Sequence, residues 1–174
     1  IATPSLFYYD ETWVLDNLIS FISTPISPGY WLKLGFVPLC YIAVVVLFLK
    51  KEKKILKFFF FLFSAFCLFP FAGYVFSGVS SVTNRWTYAF ALLTASITVY
   101  ALPKLKSLTH RELKIIFLSF APYFLIILFY EKYRTAATLT ALAVLLCCYL
   151  LILFMNDSLG FLSRKTAYAA LALL

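Results

Sequence analysis

Charge is what this sequence has least of. Only 13% of its residues are Asp, Glu, Lys or Arg, seven of them acids, and it has five glycines, one methionine and one histidine. The few carboxylates and the single imidazole make no metal-ligand spacing and no Ser-His-Asp set. With so little glycine there is neither a Walker loop nor a dinucleotide fingerprint. The four cysteines, Cys40, Cys67, Cys147 and Cys148, fall inside apolar runs and read as small hydrophobes. His110 stands alone in a basic loop and reads as solvated. No ionisable residue falls near the middle of a long apolar run, which argues against a proton relay or an ion path through it. Nothing in the chain points to a nucleic-acid partner.

What the chain has in abundance is apolar side chain. Hydrophobic residues make up 64% of it, 20 of its 174 residues are phenylalanine, and the mean hydropathy is +0.96. Soluble domains average about 45–50% apolar residues. The composition therefore predicts an all-α integral membrane protein, a polytopic helical bundle with lipid as its main partner. The pattern predicts about five full transmembrane helices, a truncated sixth and an N-terminal interfacial helix.

Residues 1–30 read as an extracytoplasmic segment, with Asp10, Glu11 and Asp16 and no Lys or Arg. Asp10 to Ile22 reads as a helix along the membrane surface. Val14, Leu18, Phe21 and Ile22 form its apolar side, Asp16, Asn17 and Ser20 face elsewhere, and Pro25 and the Ser27-Pro28-Gly29 turn stop it. Residues 31–174 read as the bundle, with spans at about 31–49, 55–76, 86–102, 113–130 and 135–155. Tyr30 and Trp31 mark the entry to the first. Pro70 and Pro122 predict kinks, Pro103 an end, and Lys57 a side chain reaching back to the preceding loop. Thr87, Ala91, Thr94 and Thr98 make a small-residue stripe suited to close helix packing. The last run, from Thr166, has nine residues, too few for a helix that needs about 20 to cross. It reads as a span cut short, and the chain as a piece of a longer polypeptide.

Eleven of the 15 Lys and Arg fall in or beside the loops after spans one, three and five: Lys50, Lys51, Lys53, Lys54 and Lys57, then Lys104, Lys106, Arg111 and Lys114, then Arg164 and Lys165. The positive-inside rule puts these loops in the cytoplasm. Residues 1–30, the Ser77–Arg85 turn and the Glu131–Arg134 turn then face outward. The Asn156-Asp157-Ser158 sequon falls on the cytoplasmic side and reads as chance.

Candidate functional residues therefore gather on the outer side. Arg85, supported by Asn84 and Tyr88, opens the third span, where free backbone N–H groups and the helix dipole favour an anion. An arginine there clamps a phosphate through two parallel hydrogen bonds, or anchors the helix at the headgroup level beside Trp86; the residues alone divide evenly between the two. Lys132, Arg134, Asp10, Glu11 and Asp16 are possible outer-face contributors. Such acids are more often solvated than functional.

The stretch Gly73-Tyr74-Val75-Phe76-Ser77-Gly78, followed by Ser81-Val82-Thr83-Asn84-Arg85-Trp86-Thr87-Tyr88-Ala89-Phe90, resembles the signature of the YfhO family of bacterial membrane proteins. The upstream order is similar as well: an outer Ile-Ser-Pro segment, a span, a Lys-rich loop and a Phe-rich span. The resemblance covers residues 15–100. It implies a C-type glycosyltransferase in the bacterial plasma membrane, with a polyprenyl-phosphate sugar as donor and a cell-envelope polymer such as teichoic acid as acceptor. It also implies that Arg85 and Asn84 meet the departing lipid phosphate, and that the prenyl tail lies between spans beside the Phe-rich one. The catalytic carboxylate would belong to the remainder of the same polypeptide, so none is assigned to Asp10, Glu11 or Asp16. A divalent metal is compatible with such an enzyme but has no ligand set here. A transporter or flippase for a lipid-linked substrate, or a structural membrane subunit, remain the alternative readings.

Overall fold

The computed structural model describes residues 12–24, 34–76 and 86–156. Every regular element among them is helical. In chain order these are α1 (Trp13–Ile22), α2 (Pro38–Leu49), α3 (Lys54–Leu68), α4 (Pro70–Phe76), α5 (Thr87–Ala101), α6 (His110–Leu118), α7 (Ala121–Phe129) and α8 (Ala136–Asn156), with 3-10 turns at Leu102–Ser107 and Glu131–Tyr133.

Three helical stretches are long and apolar enough to cross a membrane: Thr87–Ser107, His110–Phe129 and Ala136–Asn156, of 21, 20 and 21 residues. At 1.5 Å per residue each covers about 30 Å, the thickness of a hydrocarbon core. Five spans were expected, and the other two do not meet the length test on their own. α2 has 12 residues, preceded by irregular backbone at 34–37. α3 stops after 15, at Phe69, whose φ of −118° and ψ of 121° are extended. The cause is Pro70, which excludes helical backbone from the residue before it, so α4 starts afresh. Pro122 acts differently: it lacks an N–H for the preceding turn and sits in the first turn of α7, and the fourth span divides into α6 and α7 at Ser119 and Phe120, whose backbone stays right-handed helical. The α-helix of the third span stops at Ala101, just before Pro103, as expected; Pro103 sits in the first turn of a 3-10 segment that carries the helical path on to Ser107. The fourth span begins earlier than expected. Thr109 and Glu112 form a capping box, Thr109 Oγ1 accepting from the Glu112 N–H while Glu112 Oε2 accepts from the Thr109 N–H.

α2 is apolar on every side and is packed against α5, α8, α1 and α6. Its Ile42, Val46 and Leu47 meet Ile97 of α5, Ile116 of α6 and Leu145 and Ile152 of α8 in the main core. The threonine stripe of α5 packs inward: Thr87 and Thr94 are buried. Their neighbours Phe90 and Thr94 supply carbonyls that accept from Thr94 and Thr98 Oγ1 at 2.8 and 2.9 Å, so these hydroxyls are satisfied within the helix. A second core joins Trp13, Cys67, Trp86 and Phe90, with Trp86 stacked on Phe63 at 5.8 Å. Phe58, Phe59 and Phe61 point outward and Phe60 inward, the arrangement expected of a helix with lipid on most sides.

In α1, Val14 and Leu18 of the apolar side are exposed. The stripe it buries is Trp13, Asp16, Asn17 and Ser20, at i, i+3, i+4 and i+7, with Ile19 and Ile22 beside it. This face packs on α2, α8, α3 and α7. The segment leading into α2 approaches it closely, the Gly35 N–H donating to Ser20 O at 2.6 Å. Gly35 has a φ of 93°, a conformation that a side chain would penalise.

Candidate functional site

The described loops sort onto the two ends of the bundle. At one end Lys50 Nζ donates to Glu112 Oε1 at 2.6 Å, and Lys104 Nζ and Tyr100 OH both donate to Glu52 Oε2 at 3.0 Å. The Lys104 hydrogen bond, with that from Tyr100, holds the Glu52 carboxyl below its ordinary range. Lys57 Nζ reaches back to the Lys50 carbonyl. Asn156, at the end of α8, accepts from the Leu108 N–H at 2.9 Å and donates to the carbonyls of Leu105 and Ile152. The basic loops after α2 and α5 and the end of α8 thus form one connected Lys-rich end.

The other end carries the outer-face candidates that the structure describes. Asp16 is 6% exposed. Its Oδ1 accepts from Lys132 Nζ at 2.9 Å and from Tyr133 OH at 2.8 Å, and its Oδ2 from Lys132 Nζ at 3.3 Å. The same ammonium lies 3.4 Å from Thr12 Oγ1 and 5.3 Å from the Tyr133 ring centroid. Burial pushes the Tyr133 phenol up, and the hydrogen bond to Asp16 and its charge add to this. Tyr133 is therefore a neutral donor to a charged acceptor. This carboxylate is enclosed and engaged. The arrangement suits a tether between α1 and the turn joining α7 to α8, not an open general base. Asp16 is thus a buried, paired acid where a solvated one was expected.

Arg134 is also occupied. Its Nε donates to Ile127 O at 2.9 Å and its Nη2 to Leu128 O at 2.5 Å, so it caps the last carbonyls of α7. Tyr88, 71% exposed, points away from the core. Asp10, Glu11, Asn84 and Arg85 lie outside the described residues. So do Pro25 to Trp31, the Ser77–Arg85 turn, the end of the sequon, Arg164, Lys165 and the truncated sixth span.

Next to Asp16, an apolar cleft of about 470 Å³ opens between α1, α2 and α3. Val14, Asn17, Leu18, Cys67 and Leu68 line one end, and Val45, Phe48 and Phe60 line the rest, with Tyr41, Ser64 and Tyr123 between. Asn17 Nδ2 donates to Trp13 O at 2.8 Å, and its Oδ1 is buried without a partner. Trp13 Nε1 donates to Cys67 O at 2.8 Å and fixes α1 to the end of α3. Tyr41 OH donates to Ser119 O at 2.7 Å, a carbonyl near the break between α6 and α7. No group of three or more His, Cys, Asp or Glu is placed to hold a metal among the described residues.

Sequence reasoning missed the Asp16–Lys132 and Asp16–Tyr133 pairs, the Asn156 tether and the cleft. The capping box alone had a legible signal, Thr-x-x-Glu before an apolar run. No family model, curated protein or solved structure matches this chain.

Proposed function

We propose that this chain belongs to a membrane glycosyltransferase that moves a sugar from a polyprenyl-phosphate donor to an envelope polymer such as teichoic acid on the outer face. The observation that carries the reading is the segregation of the bundle's ends. The Lys-rich loops form one end. Trp13, Asp16, Lys132 and Trp86, the residue that leads into α5, belong to the other. The positive-inside rule assigns the first end to the cytoplasm and leaves the second facing out. In this reading α2 with its lead-in and α3 with α4 are also spans, five in all.

The chemistry asks one thing of this chain. When an acceptor hydroxyl attacks the sugar carbon, polyprenyl phosphate departs and charge grows on its oxygens. Arg85, with Asn84 and Tyr88 nearby in sequence, stabilises that charge with paired N–H donors. The general base is assigned to no residue of this chain. Lys132 is held by Asp16, while Arg134 uses two of its five N–H donors on the end of α7 and stays exposed, so it remains an outer-face contributor.

Arg85→Ala and Arg85→Lys, assayed for sugar transfer in membrane vesicles at matched protein levels, test the proposal. Loss of about 100-fold in both identifies a bidentate clamp, which lysine does not replace. Full activity in both reduces Arg85 to a depth anchor and overturns it. Movement of the lipid-linked donor across the membrane with no sugar transfer, in the unaltered protein, replaces it with a flippase.

A further inference from the structure

The first two turns of α6 carry cations that the fold leaves without a counter-charge. Among the described residues the Lys-rich end holds nine Lys and Arg, from Lys50 to Lys57 and from Lys104 to Lys114, against two carboxylates. Both carboxylates are engaged. Glu52 accepts from Lys104 and Tyr100, and Glu112 from Lys50 and the Thr109 N–H. Arg111 and Lys114 are exposed and enter none of the ion pairs among the described residues. Glu112, close to both in sequence, is turned to Lys50 at the end of α2.

These two cations head an apolar stripe. Arg111, Lys114, Ile115 and Leu118 fall at i, i+3, i+4 and i+7, on one face of the helix. That face is outward: Ile115 is 39% and Leu118 71% exposed, while Leu113 and Ile116 on the other side are buried. Charge therefore comes first, and surface suited to hydrocarbon follows along the span His110–Phe129. A phospholipid has the same order along its length, phosphate first and acyl chain after. Side chains at i and i+3 start about 5–6 Å apart, so a planar guanidinium with parallel donors and a mobile ammonium both reach one phosphate. A soluble acidic protein or a nucleic acid would match the charge and leave Ile115 and Leu118 uncovered. A zwitterionic headgroup would bring a further cation against Arg111 and Lys114.

We propose that this face of α6 binds an anionic phospholipid of the bilayer, its phosphate held by Arg111 and Lys114 and one acyl chain lying along Ile115 and Leu118. The site is at the opposite end of the bundle from Asp16 and Lys132. It does not depend on the glycosyltransferase reading.

The test places the chain in phosphatidylcholine nanodiscs with a trace of phosphatidylglycerol bearing a diazirine on one acyl chain. Photolabelling is expected at Ile115 to Leu118. Each basic group near a membrane surface favours an anionic lipid about fivefold, so unlabelled phosphatidylglycerol should compete about 25-fold better than the same mole fraction of phosphatidylcholine. Arg111→Gln combined with Lys114→Gln should remove that preference. Lys51→Gln combined with Lys54→Gln takes the same charge from the loop before α3 and should leave it in place. Circular dichroism checks the helix content of both. If a variant fails to fold, the unaltered chain still decides: its preference should fall severalfold between about 0.1 and 1 M salt, as the screening length drops from about 10 to 3 Å. Equal competition by phosphatidylcholine overturns the proposal, and so does a preference indifferent to salt. Displacement by soluble glycerol phosphate at matched concentration overturns it as well, since the acyl chain then adds nothing. An equal loss in the two double variants would replace the site with a diffuse field. Displacement by polyglutamate but not by phosphatidylglycerol would give the face to a soluble acidic partner instead.

Discussion

Lys132 Nζ sits 2.9 Å from Asp16 Oδ1, joining residues 116 positions apart. The contact ties α1 to the turn between α7 and α8, and it brings together two of the few charges this chain has. The carboxylate is almost fully enclosed and the ammonium is half exposed, at 8% and 46% of their side chains. Burial strengthens the pair at its acidic end, and solvent screens it at the basic end.

Removing one partner leaves the other uncompensated. Asp16→Asn and Lys132→Met should each destabilise the folded chain by about 2 kcal/mol, below the 3–5 kcal/mol of a fully buried pair because Lys132 is half in solvent. The double variant should cost less than the two singles together. Unfolding titrations in detergent micelles, arranged as a double-mutant cycle, give the coupling; strict additivity would show that the pair contributes nothing.

Tyr133 makes the same tether sensitive to alkali. Its phenol is raised above 10.0, first by burial and then by Asp16, so the neutral form is favoured by folding. That contribution is complete below pH 10 and is lost as pH rises through the folded value. The unaltered protein should therefore lose stability above about pH 10 more steeply than Tyr133→Phe, which has no proton to give up. Parallel melting curves in that range would reveal a missing difference.

At the Lys-rich end, Asn156 plays the corresponding part. Its amide bridges the end of α8 to the 102–107 turn and to Leu108. Asn156→Ala leaves the Leu108 N–H and the Leu105 carbonyl without this partner and should cost about 2 kcal/mol. Faster amide hydrogen exchange at Leu108 is the local readout. Unchanged exchange there would mean that water substitutes for the side chain.

Much of this molecule was legible because the signals are local. Pro70 and Pro122 break helices wherever they stand, since each lacks an N–H and crowds the preceding turn. The alternation of basic loops needed only a count of Lys and Arg, and among the described residues the loops after α2 and α5 do share one end. That three of the five expected spans meet the length and hydropathy criteria among the described residues has a local cause as well. Hydropathy registers the apolar runs around α2 and α3 but not the irregular backbone at 34–37 or the interruption at Phe69.

The sequence by itself determined the apolar, all-helical class, the helical breaks and the meeting of the basic loops after α2 and α5, because composition, proline and charge act within a few residues of where they stand. Only the tertiary structure decided which face of α1 turns inward, which charges meet and where a cleft remains. The reason is the solvent. In water an apolar stripe marks the buried side of a helix, but in lipid the outside is apolar too, so Val14 and Leu18 face out and Asp16, Asn17 and Ser20 seek partners within the bundle. Those partners, Lys132 and Tyr133, come from the far end of the chain, and no window of sequence around α1 contains them.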